Sequence, residues 1–138
     1  GFEQPGKCNP LKEYKKPEHL ALSENPSEDL QKWTRWLGRN TDETVLRGRI
    51  QVLDLGCGNG RNLIYLSREF GCQGYGYDIS EEAIFNLKNK FSGFFRKESI
   101  YQMKYPSEFF DVVFALEVLE HISPTKIFDV LKKIKKFL

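Results

Sequence analysis

The chain has 138 residues, of which 40% are hydrophobic and 29% charged, with a formal net charge of +2. That length suits one domain of ordinary size, and the composition is that of a globular rather than a disordered chain. The charge is too small for a nucleic-acid footprint, no apolar run approaches the ~20 residues of a membrane span, and the polar start Gly-Phe-Glu-Gln-Pro-Gly lacks the apolar core of a signal peptide. Three cysteines, Cys8, Cys57 and Cys72, contain no C-x-x-C pair, which argues against a disulfide framework or a metal site and fits a reducing, cytoplasmic setting.

Residues 1–24 are polar, with prolines at 5, 10 and 17, and read as an irregular N-terminal extension ahead of one domain over 25–138. A helix is predicted from Asn25 to Gly38. Asn25 and Glu28 form an Asn-x-x-Glu capping box, Pro26 suits the first turn, Leu30, Trp33 and Leu37 share an apolar face, and Gly38 is a natural stop. Trp33 and Trp36 read as packing for this helix, with Trp36, off the apolar face, the one left open to meet a cationic ligand. A charged linker, Arg39–Arg49, leads to a strand at Ile50–Leu55.

That strand runs through Asp54 into three glycines at alternate positions, Gly56, Gly58 and Gly60, and then into helix-compatible residues to Phe70. Glycines here permit positive φ and leave room for a ligand to approach the backbone. A turn of this kind at the carboxyl end of a parallel strand is where open α/β sheets bind nucleotide-like molecules. Cys57 reads as a small filler of the turn, since no histidine lies nearby to activate it as a nucleophile.

Gly74–Tyr77 reads as a second strand that ends in an acid, Asp78, 18 positions after Gly60. A carboxylate there overhangs the same crevice and can accept both hydroxyls of a ribose. The dinucleotide fingerprint needs a glycine at its sixth position for close helix packing, and here that position is Arg61. The spacing G-x-G-x-G favours a nucleoside with a charged, non-phosphate tail over a pyrophosphate, which would use the free N–H groups of the helix start.

Ser80 caps the next helix, with Glu81 and Glu82 in its first turn and Ala83, Ile84, Leu87 and Phe91 on its core face. A short third strand is predicted near Gly93–Arg96. Asp111–Leu116 is a fourth, its apolar run typical of a strand buried on both faces. Pro124 opens a final helix, Thr125–Phe137, whose Lys132, Lys133, Lys135 and Lys136 oppose Ile127, Leu131, Ile134 and Leu138 and so read as its solvated face. Strands alternating with helices predict an α/β fold, a Rossmann-like, doubly wound, mainly parallel sheet with helices on both faces, of which the first four strands are present.

Val52–Gly60, Gly74–Asp78 and Phe110–Ile122 together resemble the class I S-adenosylmethionine-dependent methyltransferases, and the resemblance runs from about Ile50 to Leu138. It implies S-adenosylmethionine as cofactor and methyl transfer to an acceptor that the motifs do not identify. It implies that Gly56, Cys57, Gly58 and Gly60 form the turn against the methionine and ribose parts, that Asp54 orients the turn and the cofactor's amino group, and that Asp78 holds the ribose diol. Ile79 would pack on the adenine, Ser99 and Ile100 would border its other side, and Ala115, Leu116 and Glu117 would line the floor. Ser99 stands where the family usually carries an acid, and its hydroxyl can still hydrogen-bond. His121 is a candidate general base or, equally, a residue that fixes its own loop. The family continues past a helix like the last one into three further strands, so the chain is expected to be the amino-terminal part of a longer product. Two other readings stay open: an NAD(P)-dependent oxidoreductase, and a non-catalytic cofactor-binding or scaffold domain.

Overall fold

The structure, a computed structural model, describes residues 25–41, 49–116 and 118–138. The N-terminal extension, the middle of the charged linker and Glu117 lie outside the described residues. The elements run α1 (Glu28–Asn40), β1 (Gln51–Leu55), α2 (Arg61–Phe70), β2 (Gln73–Asp78), α3 (Glu81–Lys90), β3 (Phe94–Lys97), β4 (Val112–Phe114), a 3₁₀ turn (Leu119–His121) and α4 (Ile127–Phe137). All four strands are parallel, in the order β3-β2-β1-β4. The order reverses between β2 and β4, on either side of β1, which makes the carboxyl end of β1 the switch point of the sheet.

Strand alternation divides the core. Val52 on β1 and Phe95 on β3 pack with Leu30, Leu63, Leu66, Ile84 and Leu87 from α1, α2 and α3. Leu53, Leu55 and Tyr77 turn to the opposite face and pack with Val130 and Phe137 of α4 and with Ile100, Met103 and Phe110 of the segment between β3 and β4. The Gly-Tyr-Gly-Tyr pattern of β2 follows the same division. Gly74 leaves space for Leu63, 3.4 Å from where its Cβ would stand, while Tyr75 and Tyr77 fill the face opposite. The hydroxyl groups of Tyr77 and Tyr105 hydrogen-bond to each other, and Tyr75 donates to Gln51 Oε1 at 2.9 Å. Asp111 Oδ2 accepts from Gln51 N at 2.7 Å and ties the start of β4 to β1.

Three of the departures from the sequence reading have a visible cause. The residue flanking α1 is Ser27, not Asn25, and its side chain caps nothing. Its backbone N–H instead donates to Asn62 Oδ1 at 2.8 Å, a partner from α2. Gly38 does not stop α1, which runs on to Asn40; the helix there is exposed, and Thr41 closes it on Leu37 O. Within the predicted stretch Asp111–Leu116 only Val112–Phe114 pair as strand, and all three are half-buried rather than buried on both faces, because β4 stands at an edge of the described sheet. Ser80 behaves as expected: its Oγ accepts from Ala83 N at 3.2 Å.

Candidate functional site

The register Leu55↔Tyr77 brings the turn after β1 level with Asp78. Gly56 N and Cys57 N both donate to Tyr77 O, at 2.8 and 2.9 Å, and Gly60 N donates to Cys57 O at 2.9 Å. Gly56, Gly58 and Gly60 all hold positive φ, 70°, 54° and 75°. The turn is thus pinned to β2 and delivers its last glycine straight into α2. Asp78 closes it from the other side: Oδ2 accepts from Gly58 N at 3.0 Å and Oδ1 from Ser80 N at 2.8 Å. The acid that holds the turn is therefore the one on β2, while no donor among the described residues reaches the Asp54 carboxylate.

Both carboxylates are buried, Asp54 to 3% exposure and Asp78 to 5%. Burial, then the Asp78 charge, pushes the Asp54 carboxyl up to about 7, and the Arg61 guanidinium opposes them. Burial also raises Asp78, against the N–H groups of Ser80, Gly58 and Ile79, which favour its ionised form. The Cys57 thiol is held well above its ordinary value by burial and by Asp54 and Asp78. A thiolate is the reactive form of cysteine, so this environment opposes a nucleophilic Cys57. Its sulfur would stand 2.8 Å from a Cβ on Gly76, which makes it the side chain that fills the space under the turn.

Glu98 N donates to Asp78 O at 3.0 Å and draws the next stretch to the same strand end. Ser99 Oγ accepts from Tyr101 N at 3.2 Å, Ile100 is buried, and Ile79 is half-buried just past Asp78. Ala115 and Leu116 are half-buried beyond β4 and pack on opposite faces of the sheet. Glu117 lies outside the described residues. His121 sits in the 3₁₀ turn, its N–H closing on Val118 O and its Nε2 3.5 Å from Glu120 Oε1.

Two features were not read from the sequence. A Cβ on Gly56 would meet Val118 Cγ2 at 2.4 Å, so the segment after β4 closes over the first glycine through Val118. Asn62, buried at the start of α2, and Arg61, whose guanidinium donates to Asn25 O at 3.4 Å, fasten the start of α1 beside the turn. Asn62 is an amide in the first turn of α2, and nothing local marks its partner, which lies 35 residues away.

A family model described as a methyltransferase domain matches residues 52–138. The chain belongs to the methyltransferase domain family. The match takes in β1 to α4, with both acids and the glycine turn, and leaves α1 outside it. Among solved structures, a SAM dependent methyltransferase from Archaeoglobus fulgidus is 27% identical with a TM-score of 0.59, covering 79% of this chain and 48% of its own. The magnesium protoporphyrin IX methyltransferase of Synechocystis PCC 6803, solved with bound SAM, is 24% identical with a TM-score of 0.62 over 78% of this chain and 51% of its own. The [4+2]-cyclase SpnF, at 21% identity, has a TM-score of 0.62 over 78% of this chain and 40% of its own. The chain thus spans about half the length of these solved structures.

Proposed function

We propose that the chain binds S-adenosylmethionine at the glycine turn and that the protein transfers its methyl group to an acceptor by in-line displacement. The observation that carries this reading is the pairing of a pinned glycine turn with two buried acids at the switch point, Asp78 bonded to Gly58 N–H and Asp54 without a donor among the described residues. A nucleoside with a cationic amino acid tail fits that set of acceptors. The exposed backbone of Gly56 admits the tail, Asp54 offers an unmet carboxylate to its ammonium, and the remaining lone pairs of Asp78 accept the ribose hydroxyls. In the same reading Ile79 packs on the adenine, Ser99 and Ile100 border it, and Ala115 and Leu116 line the floor.

The bound sulfonium supplies the electrophilic methyl group. What remains for the protein is to hold the acceptor in line and to exclude water, which is worth ~7–11 kcal/mol of barrier when the geometry is right. His121 is the side chain in this segment suited to take a proton from an acceptor that arrives protonated. The acceptor's identity is left to segments outside the motifs. Cys57, a buried free thiol, supports a reducing, cytoplasmic location. No helix among the described residues is long and apolar enough to cross a membrane.

Against a nicotinamide cofactor stands the start of α2, where Arg61 N is already taken by Asn59 Oδ1 at 3.2 Å, leaving fewer free N–H groups for a pyrophosphate. Calorimetric titration with S-adenosylhomocysteine, with NADH as comparison and Asp78→Ala as control, tests the reading. Micromolar binding that the variant weakens at least tenfold is expected. Binding of NADH without S-adenosylhomocysteine would replace this reading by the oxidoreductase, and cofactor binding without turnover on any acceptor would leave a scaffold.

A further inference from the structure

Two carboxylates at 3% and 5% exposure share one crevice, but the backbone donors are unequally divided. Asp78 takes Gly58 N–H and Ser80 N–H, and among the described residues none goes to Asp54. Among the described residues, the charged and titratable groups that bear on Asp54 are Asp78 from β2, the Cys57 thiol from the turn and Arg61 from α2. On its other flank β4 sets Phe114 beside it. Arg61, the one cation of the set, is half-exposed and directs its guanidinium to Asn25 O. A buried acid next to a second acid, with no donor of its own, is the member of the pair that keeps a proton.

We propose that S-adenosylmethionine binding expels this proton: Asp54 is a neutral carboxylic acid in the free crevice, and on binding it ionises against the cofactor's ammonium while its proton passes to solvent. This deepens, and rests on, the cofactor reading above. The O–H bond of Asp54 breaks, no bond of the ligand changes, and the charge left on Asp54 is matched by the ammonium. Asp54 titrates at about 7 in the free protein, so affinity rises with pH up to neutrality and levels off above it. For one linked proton, the dissociation constant is about tenfold weaker at pH 6 than at pH 8.

The probe is S-adenosylhomocysteine, whose amino acid end is the same and whose ammonium and carboxylate hold their charge over that range. Titration calorimetry of the chain at pH 7, in buffers of different ionisation enthalpy, should show about half a proton released per site. Asp54→Asn should bind more weakly at pH 8 and lose both the pH dependence and the buffer dependence. Methylthioadenosine, which lacks the amino acid, should bind without releasing a proton. A wild-type affinity that is flat from pH 6 to 8 with no buffer effect overturns the proposal and leaves the cofactor reading standing. Proton release by methylthioadenosine also overturns it, since the ammonium would then not be the trigger. If folded protein ignores S-adenosylhomocysteine at every pH, the cofactor reading itself falls.

Discussion

Gly60 and Gly71 flank α2 in the same left-handed conformation, φ 75° and 71°, yet their surroundings differ. A Cβ on Gly71 meets nothing within 4 Å, whereas one on Gly60 meets Leu87 Cδ1 at 2.4 Å, and Leu87 is fully buried. Gly71→Ala therefore carries only the conformational penalty, about 1–2 kcal/mol. Gly60→Ala adds the displacement of a core leucine, about 1–3 kcal/mol more. Urea denaturation of the two variants should separate them by that margin, with Gly60→Ala the less stable; equal losses would mean that Leu87 yields freely.

At the scale of elements, α1 is held to the domain by a short list of contacts. Asn62 accepts from Ser27 N, the hydroxyls of Thr34 and Tyr65 bond at 3.0 Å, and Trp33 meets Phe114 edge-on at 5.4 Å. Asn62→Ala leaves the Ser27 N–H without its acceptor and should cost about 1–3 kcal/mol. Trp33→Ala removes the ring that covers β4 from α1, with a loss of about 1–3 kcal/mol for a half-buried aromatic. Hydrogen exchange checks both: the amides of α1 should lose protection first, while those of β1 and β2 keep theirs. The same helix shows where sequence reasoning ends. The sequence offers Asn25 as the cap, but the helix starts after Ser27, whose N–H is held by an amide on α2. For α3 the choice was local, since Ser80 is followed at once by Glu81 and Glu82, and it was legible. The turn and the two acids were legible too, because strand, glycine spacing and Asp78 all lie within 27 residues, 52–78. That Asp78 rather than Asp54 would take the Gly58 N–H depends on the register Leu55↔Tyr77, which spacing does not state. The apolar run of β4 told what the strand prefers to bury but not its place at the sheet edge.

For the whole molecule, Asp54 links folding to pH. Its carboxyl titrates at about 7 in the fold against 3.8 ordinarily, so over that interval the folded state binds more protons than the unfolded one. Stability from this group is present at low pH, falls as pH rises from about 4 to about 7, and is flat above. Asp54→Asn removes the buried charge and should raise stability at pH 8 by on the order of 2–4 kcal/mol, with the gain vanishing towards pH 4. Parallel urea titrations of both proteins across that range measure the difference; a variant less stable than the parent at pH 8 would sink the assignment of a disfavoured charge. The substitution that strengthens the fold is thus the one expected to weaken ligand binding, a conflict often met at functional sites.

The sheet order has a consequence in time. β1 reaches β2 across 22 residues, Gln51↔Gln73, but reaches β4 across 60, Val52↔Val112. Closing the longer loop costs more entropy and is rewarded later, so the β1–α2–β2 crossover unit is the natural nucleus and β4 the late arrival. Leu63→Ala, which loosens α2 over Gly74, should slow refolding, and Val113→Ala should chiefly speed unfolding. Stopped-flow kinetics showing the reverse would place the nucleus elsewhere. In this order of events the glycine turn and Asp78 are assembled while the segment that carries Val118 and His121 is still free, and the crevice is built open before it is covered.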